Sequence, residues 1–271
     1  MAAGGEQSIS IVLSDVSGFT EALRAINENE IDVILHSPGG SPEATESIVS
    51  MLRRRFESIR FIVPLVAKSA ATMMAMAGDE IILGDNAELG PTDPQMVING
   101  KASPAHAILQ QFKEAKTELS KSNSSLPAWL PILEQYGPSL VAQCNDAINL
   151  SRTLVKEWLK EYMLTGTRRK GQKASNIARY LASNHLSHGR AITVEELQAK
   201  GVKIKRASEI SEQFSEALED IYTAYQQTFL LTGAVKIFES SKNEALINQV
   251  VIVPPQQPNM QIPMHLQPPV S

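Results

Sequence analysis

The feature that most narrows the fold is a series of short, almost unbroken apolar runs, each ending in a loop that opens a helix-like stretch. They lie at 31–37 (IDVILHS), 59–67 (IRFIVPLVA) and 80–90 (EIILGDNAELG). Runs without polar alternation suit strands covered on both faces, as in a parallel sheet between helices. The stretch 41–56 between two of them reads as a helix. Ser41 stands at the N-cap, Pro42 at the first helical position, and Arg53, Arg54 and Arg55 near the C-terminus, where the backbone dipole favours cations. Residues 69–78 read as a small-residue helix closed by Gly78. Upstream, 8–15 reads as a strand and 19–30 as a helix, and Pro64 marks an edge or irregular position in its strand. The fold class is α/β.

From about residue 103 the pattern becomes helical and more polar, at 104–122, 138–164 and 173–184, with 124–131 as a loop or helix boundary. Residues 193–204 read as a capped helix, Gly201 and a short strand, and 208–246 as helix. Residues 1–250 thus form one α/β unit whose second half is mainly helical. The remainder, 251–271, holds six prolines and four glutamines and is expected to be a flexible tail that folding does not need. The 25 Lys and Arg against 29 Asp and Glu leave a net charge of −4, which argues against a nucleic-acid partner. The single cysteine, Cys144, excludes an internal disulfide and a cysteine-based zinc site. No run reaches the length of a membrane span, and no secretory leader is visible, so a cytoplasmic location is the expectation.

Two loops carry the chemistry. His36-Ser37-Pro38-Gly39-Gly40-Ser41 and Ala67-Lys68-Ser69-Ala70-Ala71-Thr72 each leave a strand and enter a helix. Both place free backbone N–H groups at the carboxyl edge of a parallel sheet, where ligands of α/β proteins sit. Gly39 and Gly40 bring bare backbone close to an oxygen, and a charge developing beside Ser69 meets the positive end of a helix. A serine and an oxyanion hole are the minimum equipment for acyl transfer. The plain alternatives are a turn and an N-cap.

The segments IDVILHSPGGSPEATESIVSMLR and IVPLVAKSAATMMAMAGDEIILGDNAELGPTDPQ closely resemble the serine dehydrogenase proteinase family, a distant relative of the Clp protease proteolytic subunit and of signal-peptide peptidase A. The resemblance covers 31–96 strongly and HLSHGRAITVEELQAKGVKI at 185–204 more weakly. It implies a Clp/crotonase-like superhelix of ββα units, assembled as a trimer or hexamer, that cleaves peptides or polypeptides without a cofactor or metal. It also implies Ser69 as nucleophile, and Gly39, Gly40 and Ala70 as the oxyanion hole. The Clp base would be a histidine about 25 residues after the serine. Here that stretch carries Asp93 instead, and the histidines, His185 and His188, come later, as in the Ser…Asp…His order described for the family. The HGRAI element favours His188 over His185 as the base.

A Ser/Lys dyad is the mechanistic rival, with Lys101, Lys113 or Lys116 as base; Lys68 adjoins Ser69 but is expected to point elsewhere. A crotonase-type acyl-CoA enzyme and an inactive oligomeric scaffold also remain open. His36 reads best as a satisfied strand-end histidine, and His106 and His265 have no supporting context.

Overall fold

The computed structural model describes residues 9–182 and 189–250. Its centre is a four-stranded, all-parallel sheet. β1 (Glu30–Ile34) pairs with β2 (Ser58–Val63), β2 with β4 (Glu80–Leu83), and β4 with β8 (Ile204–Arg206). One row across the sheet reads Val33, Phe61, Ile81, Ile204, and the next Ile34, Ile62, Ile82, Lys205. The first row faces the main core, and Ile62 and Ile82 face Ala207, Leu218 and Phe214 on the other side. β2 and β4 are therefore covered on both faces, which is why their sequences do not alternate.

A second ladder runs beside this sheet. The run 59–67 divides at Pro64 into β2 and the short β3 (Val66–Ala67), and the run 80–90 divides into β4 and β5 (Glu88–Leu89). β3 pairs with β5 in parallel, and single bridges join Ser37 to Ala67 and Leu89 to Ile192. Each long strand is thus followed by a short one. After Ser37 the chain enters α2 (Pro42–Arg55), and after β3 it enters α3 (Ala70–Ala75). Pro64 therefore ends a central strand rather than marking an edge, since β2 lies between β1 and β4.

α2 forms as its sequence directs. Ser41 Oγ accepts from Ala44 N at 3.1 Å and Pro42 takes the first turn. Ala44, Ile48, Val49 and Leu52 then line one buried stripe. α3 is buried at every position, as a helix of Ala, Thr and Met can be when packed at close range. α6 (Leu140–Glu161) contributes Val155, Trp158 and Leu159 to the same core, and α7 (Lys170–Ala182) contributes Ala174, Ile177, Ala178 and Leu181. α4 (Ala105–Leu119) and the first half of α6 pack around a separate small cluster, Ala105, Ile108, Leu140, Cys144 and Ile148.

Four sequence expectations are corrected. Of the strand expected over 8–15, the described residues 9–15 form only a bridge at Ile11, because the chain turns into α1 (Asp15–Ala22), and the helix expected over 19–30 is this α1, which ends well before residue 30. The stretch 124–131 lies mostly in a helix, α5 (Leu126–Leu133), which buries none of its residues. Residues 95–104 add an element for which no expectation was stated, a hairpin of β6 (Gln95–Ile98) and β7 (Lys101–Pro104). The helix expected over 208–246 ends with α9 (Glu212–Leu231), and β9 (Ala234–Glu239) with β10 (Ala245–Gln249) follow as an antiparallel hairpin. The capped helix is found as α8 (Val194–Ala199), where Thr193 and Glu196 complete a capping box.

Arg53 does not merely decorate the end of α2. Its side chain is 6% exposed, with Nη1 2.8 Å from Asp79 Oδ2. Nε donates to the Ala77 carbonyl at 3.1 Å, and the guanidinium lies 3.8 Å from the centre of the Tyr162 ring. The same Asp79 oxygen accepts from Ile59 N at 2.8 Å, so one guanidinium ties α2, the end of α3 and the start of β2. Arg53→Met is expected to lower the free energy of unfolding by about 2–3 kcal/mol, because it leaves a carbonyl and a half-buried carboxylate short of a partner. Urea titration checks this, and a loss below about 0.5 kcal/mol, the level of an ordinary surface change, contradicts it.

Candidate active site

Three strand exits stand side by side at one end of the ladder. Ser37 N donates to Val66 O at 3.0 Å, Lys68 N to Ser37 O at 3.1 Å, and Gly90 N to Ala67 O at 3.1 Å. These bonds align the Pro-Gly-Gly loop, Ser69, and the segment that leads to Asp93. A fourth segment braces the loop from outside, as Ile11 N donates to Gly39 O and Ser41 N to Ile11 O, both at 2.8 Å.

Ser69 differs from an ordinary N-cap serine. Ser41 sits at φ −73°, ψ 127° and caps its helix, whereas Ser69 sits at φ 50°, ψ −119° and its side chain makes no capping bond. A non-glycine residue at that φ costs about 1–3 kcal/mol and persists only where its surroundings over-determine it. Here they do. Thr72 Oγ1 donates to Ala67 O at 2.7 Å and accepts from Gly90 N at 3.1 Å. Met73 N donates to Ser69 O at 3.0 Å. The chain is fixed on both sides of the serine, whose hydroxyl stays uncommitted to the helix.

The glycines serve two purposes. Gly39, at φ 105°, lies against the nucleophile loop: a Cβ there would stand 2.6 Å from the Lys68 carbonyl oxygen and 2.8 Å from Ser69 Cβ. Its own N–H donates to Ser37 Oγ at 3.1 Å. The N–H groups of Gly40 and Ala70, in contrast, donate to no acceptor among the described residues. Gly40 is needed because a Cβ would fall 2.2 Å from Ile11 O. Both N–H groups are thus uncommitted among the described residues, while Gly39 allows its loop to approach Ser69 closely.

Asp93 lies three residues beyond Gly90 and is 3% exposed. Its backbone is held by its neighbours: Thr92 N donates to Leu181 O at 2.8 Å, and Ser151 Oγ to Thr92 O at 2.9 Å. Oδ2 accepts from Gln95 Nε2 at 3.0 Å, and His106 Nδ1 stands 3.9 Å from the same oxygen. Sequence reasoning passed over His106. The signal was Asn99-Gly100, the two-residue turn that folds 95–104 into a hairpin; both residues take positive φ, 50° and 76°. Gln95 pairs with Pro104, so the hairpin returns the chain to where it left Asp93.

Lys68 points away from Ser69, into an ion pair with Glu88 on the adjoining strand. Lys101, Lys113 and Lys116 are exposed on β7 and α4, and no contact among the described residues joins them to Ser69. His36 packs against Tyr222 with ring centres 5.1 Å apart and planes tilted by 59°, and desolvation pushes its pKa down. His185 and His188 lie outside the described residues, as do His265 and the tail. Among the described residues no cluster of three His, Cys, Asp or Glu could hold a metal ion, and no helix is long and apolar enough to cross a membrane.

Comparison with known proteins identifies a family. The ClpP-like SDH-type serine proteinase family matches residues 10–244. Two uncharacterized proteins of Methanocaldococcus jannaschii are 27% and 29% identical over 230 and 195 residues, 83% and 72% of this chain. The matched segments span 69% and 59% of those relatives' lengths. Among solved structures, two variants of the 1510-N membrane-bound stomatin-specific protease are 17% identical. A serine-to-alanine variant gives a TM-score of 0.41, with 72% of this chain and 74% of that one covered. A lysine-to-alanine variant in complex with a substrate peptide gives 0.43, with 72% and 70% covered. With the family matched over nearly its whole length, this α/β chain belongs to the ClpP-like SDH-type serine proteinases.

Proposed function

We propose that the protein cleaves peptide bonds of peptides or unfolded polypeptides through an acyl-enzyme on Ser69. The observation that carries this is the backbone of Ser69: a strained serine between a strand and a helix, free of capping duty, with the Ala70 N–H following it and the Gly40 N–H in the facing loop, neither donating to an acceptor among the described residues. Strain of that kind is retained at a nucleophile because it turns the hydroxyl out of the chain toward an incoming carbonyl.

The chemistry follows. Ser69 Oγ attacks the scissile carbonyl carbon while a histidine takes its proton. The carbonyl oxygen becomes an oxyanion, stabilised by the N–H groups of Gly40 and Ala70. The C–N bond breaks as the histidine returns the proton to the leaving amine. Water, deprotonated by the same imidazole, then hydrolyses the acyl-enzyme and releases Ser69. The family resemblance assigns the base to His188. Asp93 orients the imidazole and stabilises its charged form, a role that buries a carboxylate and needs no particular chain order.

Assembly as a trimer or hexamer belongs to the same proposal. Leu230 and Leu231 at the end of α9 are 82% and 83% exposed, and Val97 on β6 is 74% exposed. Apolar side chains so placed are the kind that subunit interfaces bury. Light scattering at micromolar concentration is expected to give a multiple of 29.6 kDa; a clean monomer contradicts the assembly.

A fluorophosphonate probe is expected to label Ser69. Ser69→Ala is expected to abolish labelling and lower turnover by at least about a thousandfold. His188→Ala is expected to cost nearly as much and Asp93→Asn somewhat less. The pH profile of kcat/KM should rise through about 6–7 as the base becomes neutral. An unlabelled, inactive parent protein overturns the peptidase reading. Full activity in His188→Ala, with activity lost in Lys101→Ala, Lys113→Ala or Lys116→Ala, replaces the triad by a Ser/Lys dyad.

The strain makes a separate prediction about stability. Ser69→Gly is expected to be more stable than Ser69→Ala by about 1 kcal/mol, since glycine relieves the positive φ and repays part of that in unfolded-chain entropy. Ser41→Ala, which removes a true cap, is expected to lose about 1 kcal/mol while keeping activity. Denaturant melts of the three proteins check both; equal stability of the two Ser69 variants shows that no strain is stored there.

A further inference from the structure

A buried carboxylate keeps its orientation only if donors around it fix both its position and its plane. Gln95 supplies one donor to Asp93 Oδ2 at 3.0 Å. His106 Nδ1 stands 3.9 Å from that oxygen, beyond hydrogen-bond reach by less than an ordinary side-chain rotation. The same Nδ1 is buried and has no hydrogen-bond partner among the described residues. A buried imidazole nitrogen without a partner is unfavourable, and Asp93 is the carboxylate it faces. The rest of the His106 side chain is 41% exposed, so the ring has room to turn.

The fold delivers the two groups together. Gln95 opens β6 and His106 is the second residue of α4, at the two ends of one hairpin whose register pairs Gln95 with Pro104. Ala105 N donates to Pro94 O at 2.9 Å, which pins the start of α4 to the residue that follows Asp93. A rigid two-stranded element thus holds an amide and an imidazole against one carboxylate oxygen.

We propose that His106 is a positioning residue for Asp93: its Nδ1–H closes onto Asp93 Oδ2 and, with Gln95, fixes the carboxylate that orients the catalytic imidazole. This rests on the Ser69 and Asp93 reading above. His106 acts through Asp93 and touches no substrate, so its loss affects the chemical step and not binding.

The test uses the full chain, fluorescein-labelled casein as substrate and a fluorophosphonate as probe of Ser69. His106→Leu is expected to lower kcat about tenfold, the worth of one hydrogen bond to a charged group, with KM within about twofold of the parent. His106→Asn, whose amide nitrogen can take the place of Nδ1, is expected to recover most of that loss. Parental kcat in His106→Leu overturns the proposal. So does a loss that His106→Asn does not restore, and so does an inactive His106→Leu beside an active His188→Ala, which makes His106 the base itself. A readout independent of turnover is the ¹⁵N resonance of His106 Nδ1, which is expected to move in Asp93→Asn; an unmoved resonance overturns the contact. If the resonance moves but the parent neither labels nor hydrolyses casein, the peptidase reading is what has failed, and the catalytic role of His106 falls with it while the contact stands.

Discussion

The close approach of the Gly39 backbone to Lys68 and Ser69 is the constraint on which the rest of the site depends. Two loops from separate strands can meet at that range only if one lacks a side chain, and a Cβ on Gly39 would clash with both a carbonyl and the Ser69 side chain. The approach is enforced by the ladder itself, since Ser37 exchanges hydrogen bonds with Val66 and Lys68 on the neighbouring segment. The strain at Ser69 then has a source. The strand before it is fixed by pairing on two sides and the helix after it is wholly buried, so the one residue between them absorbs the change of direction.

Support for the loop reaches far along the chain. Gly39 O and Ser41 N are both bonded to Ile11. The segment around Ile11 is anchored by Asp15, whose Oδ2 accepts from Val12 N at 3.0 Å. Asp15 in turn forms an ion pair at 2.8 Å with Lys236 of β9, and the two side chains are 4% and 10% exposed. Lys236 also donates to Ser10 O at 2.6 Å. A buried pair of this kind contributes little net stability, but removing one partner is costly, so it acts as a register pin. The C-terminal hairpin therefore helps to hold the Pro38-Gly39-Gly40 loop although it lies far from it in sequence. On the opposite side of the sheet, Asp85 accepts from Ser208 and Ser215, bonds that hold its carboxyl below the usual range and fasten the start of α9 to the end of β4.

What could be read from the residues followed from how local each signal was. The buried strands and α2 were plain because apolar runs, a Ser-Pro cap and a helical stripe all act within a few residues. Ser69 and the Gly-Gly loop could be singled out because strand-end glycines and a serine before an apolar helix are legible as local motifs. Both Ser69 and Ser41 precede helices, and in the sequence the family resemblance is what sets them apart; the backbone angles add the physical difference between a strained serine and a capping one. The sequence also did not reveal that the Gly39 N–H is taken up by Ser37 Oγ. The β9–β10 hairpin was read as helix because its pattern is mixed and its strands are mostly solvent-facing, so the alternation that marks a half-buried strand is faint. His106 was overlooked for a different reason. Its partner is brought to it by a turn, and the Asn-Gly signal had to be read before the histidine could matter.

The position of the acid shows why chain order is a weak guide to mechanism here. Asp93 leaves the same edge of the ladder as Ser69 because β5 pairs with β3, so that each strand exit inherits the register of its neighbour. Any residue placed a few positions beyond β5 is carried to the same edge as Ser69, whatever its type. The fold thus offers a fixed location and leaves the choice of acid or base to the sequence. A chain that puts the carboxylate there has to bring its histidine from elsewhere. Residues 89–93 are buried beneath α6 and α7, which shields the carboxylate from water; a charge so placed acts more strongly on any group beside it. The helical second half provides that cover. Ser151 of α6 and Leu181 of α7 both bond to Thr92, so the helices that complete the core also set the acid in place.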